Sequence, residues 1–575
     1  MNSVFSSSGR VPKQSTLWVL AGIGLVIFTL LQILPMTSLD SLGQIQKTIT
    51  KQQAEKAAAE FAISTFDITN PPGKALVTYD SQSNIYGYLV REKVMDTYLK
   101  TYNEQFPLEV FRVRFDNADG TRSTLTVDVN LSGGKVVGFE RFSTYSNTVK
   151  EQLLKLGWES VESLLSLEGD LSLADKERLA QPYFSTFGFE HADLKAVSSE
   201  GELGLVYKVA GYDVGQSQGF IKFNYEFGTV SAVQTYFEPP AAHMTYVKDQ
   251  KSLAGWFFWI GYALFTFILG ILAIIFSVKT RPFSSFVRGI VLSSIYFIFS
   301  MVGALNLLPY LQKDGFDPAA LIVGFVIQGL LTLLISASIY FSLVGGDGLW
   351  RKQGINLWGR ANEAGYGQSV VYSMREGYQW ALVLLGLQSI IFLIFEKSFG
   401  VWSTTDAAQS PYNMAYPLLL PLLAWVAGIG EEAVYRLFGI PMLKNIFRST
   451  FIACFLSSLI WAFGHSLYPI FPVYSRPIEL TLIGLMFSFI FLRYGYITAM
   501  FTHVIFNSIL MSLSLIFMGG ALNWSAGLFY IALPALVAFV IYLFNPPGRG
   551  RPQNRPVIQQ KEEPQFTTPH PEGHL

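Results

Sequence analysis

Cysteine is almost missing: the 575-residue chain has one, Cys454, inside an apolar run. A single thiol excludes an intrachain disulfide and a cysteine metal cluster, and its apolar setting makes Cys454 a small packing residue. Net charge is missing too. Lys plus Arg number 41 and Asp plus Glu 41, so nothing in the balance points to nucleic acid, and no such partner is expected. Charged residues make up 14% of the chain against 51% hydrophobic, a low share for a soluble protein. Histidine is scarce at six, and no His-Glu-x-x-His pair occurs, which excludes the helical zinc-hydrolase signature.

What the chain has in quantity is apolar runs. Leu17 to Met36 follows Arg10 and Lys13 and is long enough to span a bilayer. No small-x-small site follows it, so an uncleaved anchor is expected, with residues 1–16 in the cytoplasm. Further runs fall at about 253–278, 290–308, 320–344, 379–396, 416–436, 450–466, 478–493, 497–518 and 526–544. The expected fold class is therefore a multi-pass α-helical membrane protein of about ten transmembrane helices. Strict alternation places Lys279, Arg281, Arg288, Arg351, Lys352, Arg360, Arg375, Lys444, Arg448, Arg493, Arg549, Arg551 and Arg555 on one side, with Lys313 and Arg476 on the other. The positive-inside rule then predicts a cell-membrane protein with both termini cytoplasmic. Residues 545–575, rich in Pro, Gln, Glu and Arg, are expected to form a disordered tail whose first arginines meet lipid headgroups.

Between the first run and the rest, residues 37–250 are polar enough to form an α+β domain outside the cytoplasm. A helix is expected over Gln44 to Ser64, then strands Val110 to Phe115, Ser123 to Val129 and Lys135 to Phe142. Asp119-Gly120 and Gly133-Gly134 fall where hairpins would turn. The order recurs as a helix at Ala174 to Phe184 and strands Leu205 to Val209, Phe220 to Phe227 and Thr229 to Phe237. Ser64-Thr-Phe66 and Ser185-Thr-Phe187 close the two helices. These two units resemble the PepSY-type modules of bacterial extracytoplasmic proteins, which bind a peptide, restrain a protease or simply pack.

The residues with chemistry lie late in the chain. Trp425-Val-Ala-Gly-Ile-Gly-Glu431-Glu432-Ala-Val-Tyr435-Arg436 places two carboxylates and an arginine at the end of an apolar helix. Ionisable groups at membrane depth are usually paired and functional. Glu432 and Arg436 are four apart and share a helix face, whereas Glu431 is rotated by roughly 100°. The spacing thus predicts a neutralised Glu432 and a Glu431 left free to act as a base. His465 ends the apolar run Ser457-Ser-Leu-Ile-Trp461-Ala-Phe-Gly-His465, and His503 and Asn507 share one helix face. Counted from the predicted cytoplasmic ends, the two histidines differ in depth by over about 10 Å.

Here the chain resembles the CAAX-protease and bacteriocin-processing (CPBP) group of intramembrane endopeptidases, which includes the type II prenyl-protein endopeptidases. That group carries Glu-Glu-x-x-x-Arg, Phe-x-x-x-His and His-x-x-x-Asn on hydrophobic helices. The matches are Glu431, Glu432 and Arg436; His465; and His503 with Asn507, with Trp461 in place of the usual Phe. The stretch from Gly484 to Ala499 also resembles the helix and turn before the last motif. The resemblance covers about residues 410 to 520 and places a catalytic core at 411–544, after transmembrane helices 2–5 in 251–410.

The resemblance implies that Glu431 is the general base, that His465 orients the water, and that His503 and Asn507 form the oxyanion site, with Glu432 and Arg436 in support. It implies a membrane-embedded or lipidated protein substrate and no cofactor. The alternative is zinc held by Glu431, His465 and His503, which leaves a position for water. Other functions weighed are an inactive scaffold or sensor, a bacteriocin self-immunity protein, and a transporter. The last would show inverted repeats, and none is visible. The chain ends Glu572-Gly-His-Leu575, without a prenylation cysteine, so it is not expected to be a CAAX substrate itself.

Overall fold

A computed structural model describes residues 12–35, 48–66, 75–116, 123–142, 171–197, 204–226, 228–313 and 318–546. The Asp119-Gly120 turn, the start of the Gln44 helix and the tail from residue 547 lie outside the described residues. Within them, nine helices are long and apolar enough to cross a membrane. The element order is α1 (Gln14–Ile33), α2 (Lys51–Phe66), β1 (Leu76–Ser81), α3 (Ser83–Arg91), α4 (Met95–Thr101), β2 (Glu109–Asp116), β3 (Thr124–Asn130) and β4 (Val136–Phe142). Then come α5 (Leu173–Phe187), β5 (Leu194–Val197), β6 (Gly204–Val214), β7 (Ser217–Glu226) and β8 (Thr229–Glu238). The membrane part follows as α6 (Ala241–Lys279), α7 (Phe286–Asn306), α8 (Pro318–Lys352), α9 (Tyr366–Phe399) and β9 (Trp402–Ser403). It continues with α10 (Pro417–Phe447), α11 (Thr450–Phe463), β10 (Ile470–Phe471), α12 (Ser475–Tyr494), α13 (Tyr496–Phe517) and α14 (Ala521–Phe544). The run expected at 450–466 is α11, which at 14 residues is shorter than the other spans.

The polar domain is one eight-stranded antiparallel sheet, ordered β1-β2-β3-β4-β8-β7-β6-β5. Each predicted unit supplies one half, and β4 pairs with β8 to join them. Inward side chains alternate along each strand, as Phe111, Val113 and Phe115 do in β2. The covering helices α2 and α5 end at Phe66 and Phe187. Phe61 lies 5.8 Å from Phe139 and 6.2 Å from Phe187, so one aromatic core spans both units. The pattern missed β1, β5, α3 and α4. β1 and β5 are the two sheet edges, where a short strand pairs on one side only and carries little periodic signal.

The spans pack through small residues, as membrane helices do where backbones approach closely. A Cβ on Gly386 of α9 would stand 2.5 Å from the Gly24 Cα of α1, so these two helices touch backbone to backbone. Away from the sheet, Arg288 and Arg351 on helices and Arg360 in the loop between α8 and α9 surround the buried Asp347, at 3.3, 2.9 and 3.7 Å. His243, which the sequence places outside the apolar core, is buried where the sheet domain meets the bundle, between Tyr88 and Trp402.

Candidate active site

Helix α10 changes character where the chemistry begins. Its α-helical part runs Leu423–Glu431, and Glu432–Gly439 is π-helical. Such wide turns are uncommon and frequent at functional sites. Every side chain of the π stretch is buried. Just before it, Gly428 and Gly430 admit neighbours that a side chain would exclude. A Cβ on Gly428 would lie 3.0 Å from the Met500 carbonyl of α13, and one on Gly430 2.8 Å from the Tyr296 ring of α7.

Glu432 and Arg436 are wholly buried and paired, with Nη1 3.0 Å from Oε1. The same Oε1 lies 2.8 Å from His503 Nδ1. The predicted ion pair is therefore a triad that ties α10 to α13. An ionised carboxylate only accepts, so His503 Nδ1 carries the proton and donates it, and Nε2 is free for other work. The Arg436 guanidinium also lies over two aromatic rings, Trp461 at 4.5 Å and Phe487 at 5.3 Å. Its Nε and Nη2, and Glu432 Oε2, have no hydrogen-bond partner among the described residues.

Glu431 is the carboxylate with access, its side chain 28% exposed against none for Glu432. It is less free than the spacing predicts: the Trp461 indole N–H donates to its Oε2, and His503 Nε2 stands 3.8 Å from the same oxygen. His503 thus faces Glu432 through one nitrogen and Glu431 through the other. Its ring stacks on Phe487 at 4.8 Å.

His465 lies just past the end of α11, half-buried, with Nδ1 3.2 Å from the Trp461 carbonyl. A carbonyl can only accept, so Nδ1 is the donor there and Nε2 is left as an acceptor. The Trp461 ring lies 5.2 Å from His465 and 6.0 Å from His503. The two imidazoles, predicted at different depths, thus both stand against one indole. Among the described residues no group of three or more His, Cys, Asp or Glu is placed to hold a metal ion. Asn507 is half-buried one turn beyond His503, with no hydrogen-bond partner among the described residues.

The sequence reading missed Trp461 as a partner of Glu431, treating it as an aromatic exchange. A signal was present: Trp461 and His465 are four apart and share a face. Tyr296 and Tyr262 had none. They come from α7 and α6, remote in sequence, and press on Gly430 and Gly464 respectively.

Comparison with known proteins points to the same stretch of the chain. Residues 413–509 match the family described as type II CAAX prenyl endopeptidase Rce1-like, a span that includes all six motif residues. The chain is also 24% identical over 201 residues to the sporulation-killing factor biosynthesis protein SkfC of Bacillus subtilis (strain 168), covering 34% of this chain and 37% of that protein. No solved structure matches. The chain is thus a multi-pass helical membrane protein whose residues 413–509 are similar to the type II CAAX prenyl endopeptidase Rce1-like family.

Proposed function

We propose that this protein hydrolyses a peptide bond in a membrane-associated, lipid-modified protein, with Glu431 activating the water. The observation that carries the reading is the unequal treatment of adjacent glutamates. Glu432 is buried and paired through Oε1 with Arg436 and His503, whereas Glu431 keeps access and faces His503 Nε2. In this reading Glu431 takes a proton from water held against it with the help of His465, and the hydroxide oxygen attacks the scissile carbonyl carbon. Asn507 donates to the oxyanion, and His503, held by Glu432, lines the same oxyanion site. When the C–N bond breaks, the Glu431 carboxyl returns its proton to the leaving amine. No metal takes part. The positive-inside rule adds the orientation, with both termini cytoplasmic and residues 37–250 outside.

The test uses full-length protein in liposomes and an internally quenched peptide ending in a farnesylated CAAX sequence. Glu431→Gln keeps size and hydrogen bonding but removes the base. Turnover is expected to fall by about 10²–10⁴-fold with the melting temperature unchanged, and chelators are expected to leave the wild type active. Wild-type rates in Glu431→Gln would end the proposal, and chelator-sensitive turnover restored by zinc would end its metal-free form.

A further inference from the structure

The sheet domain grips the two loops that lead into and out of the active site. β1 is a sheet edge, and edge strands leave backbone groups unpaired. Here a side chain from the membrane part takes that place. Asn413, wholly buried, accepts from Tyr79 N–H at 2.7 Å and donates to the Tyr79 carbonyl at 2.8 Å. Tyr412 stacks on Tyr79 at 5.8 Å, and Ala407 and Tyr412 pack against the sheet core. Thr404 and Thr405 donate to the Ser83 carbonyl and the Ser81 hydroxyl. Three residues further on, Asn306 of α7 repeats the pattern. It accepts from Tyr416 N–H at 2.7 Å and donates to the Tyr416 carbonyl at 2.9 Å, one residue before α10 begins.

The exit loop is tied to the same place. β9 pairs with β10, five residues after His465, and Thr404 N–H donates to the Pro469 carbonyl. Gln250, on the helix that continues the sheet domain into the membrane, accepts from Val473 N–H at 2.8 Å. Both loops are thus referenced to the sheet domain, and one launches the helix bearing Glu431 while the other follows His465.

We propose that the sheet domain is a positioning element of the active site: through Asn413 and the β9–β10 pair it sets α10 and the His465 turn against each other. This rests on the reading of Glu431 and His465 as partners in catalysis. The domain therefore belongs to the enzyme's working structure, and whatever displaces it from the 402–416 loop lowers turnover without touching a reacting group.

The test is hydrogen exchange on full-length protein in detergent. Asn413→Ala is expected to speed amide exchange at residues 417–431 and 464–474 by at least about tenfold, since local opening follows lost contacts. Ser81→Cys with Thr405→Cys, in a Cys454→Ala background, places thiols where side-chain oxygens stand 2.8 Å apart. In the Asn413→Ala chain, oxidising that pair is expected to restore protection, and dithiothreitol to remove it again. Thr404→Val is the milder variant should Asn413→Ala not fold, and the same change is expected on a smaller scale. Unchanged exchange in the folded variants, or faster exchange that oxidation fails to restore, overturns the proposal. Cleavage of the farnesylated peptide is read in parallel and should follow protection through kcat. A wild type that cleaves nothing sinks the proposed activity, whereas the exchange result stands apart from it.

Discussion

Glu432→Gln should unfold this protein before it inactivates it. The substitution leaves Arg436 with no carboxylate in a site with no exposure, where its Nε and Nη2 already lack partners. Removing one member of a buried pair costs about 3–5 kcal/mol, so the variant should melt well below the wild type in detergent and accumulate poorly. Arg436→Met should lose a similar amount, since Glu432 then has His503 alone. Combining the two removes both charges and should recover part of the loss. It should not recover turnover, because His503 has lost the carboxylate that fixes its tautomer. The assay pairs thermal melting with cleavage rate per folded molecule. Full stability in Glu432→Gln, or a double variant no more stable than either single one, would refute the argument. If Glu432→Gln is folded and dead while Glu431→Gln retains full specific activity, the two carboxylates have exchanged roles.

Trp461→Phe removes the indole N–H from Glu431 and keeps the aromatic surface against Arg436. Turnover should drop by about tenfold, one hydrogen bond's worth, at unchanged melting temperature, and an unaffected rate would show that the contact is incidental. Cysteines placed at Ser132 and Gln559 should label oppositely with an impermeant thiol reagent in intact cells, and equal labelling would overturn the orientation. Residues 48–248 expressed alone should unfold cooperatively but at a lower temperature than in the full chain, because Asn413 and Tyr412 no longer cover the β1 edge. In the full chain burial raises the Glu109 carboxyl above its ordinary value, although the hydrogen bond from Tyr79 opposes the shift. A raised acid penalises the folded state when ionised, so stability should rise as pH falls through the folded pKa toward 4.5. Glu109→Gln should flatten that slope across the same range, and an unchanged slope would assign it to another group.

Much of the architecture was legible because it rests on periodicity and charge. The spans are long apolar runs, and the strands from β2 to β4 and from β6 to β8 alternate. The Glu432–Arg436 pair follows from helical spacing alone. What stayed hidden depends on contacts between distant segments. His503 joins Glu432 across 71 positions, and Asn413 meets Tyr79 across 334. The π-helical stretch was also invisible, because no local residue preference marks where a helix widens. The reading of Glu431 as free came from considering one helix, whereas its partners, Trp461 and His503, arrive on two others.

The order of synthesis gives the Glu432–Arg436 pair a second significance. The helix that carries two carboxylates and a guanidinium is synthesised before α13. His503, which completes the triad, comes 71 residues later. An ion pair four residues apart on one helix needs no other segment. Its neutralisation therefore travels with the helix, and ionised groups at the bilayer centre are otherwise costly to insert. On the proposed function the same two residues serve at different times: first the pair lets the segment enter the membrane, and later it gives His503 its anchor.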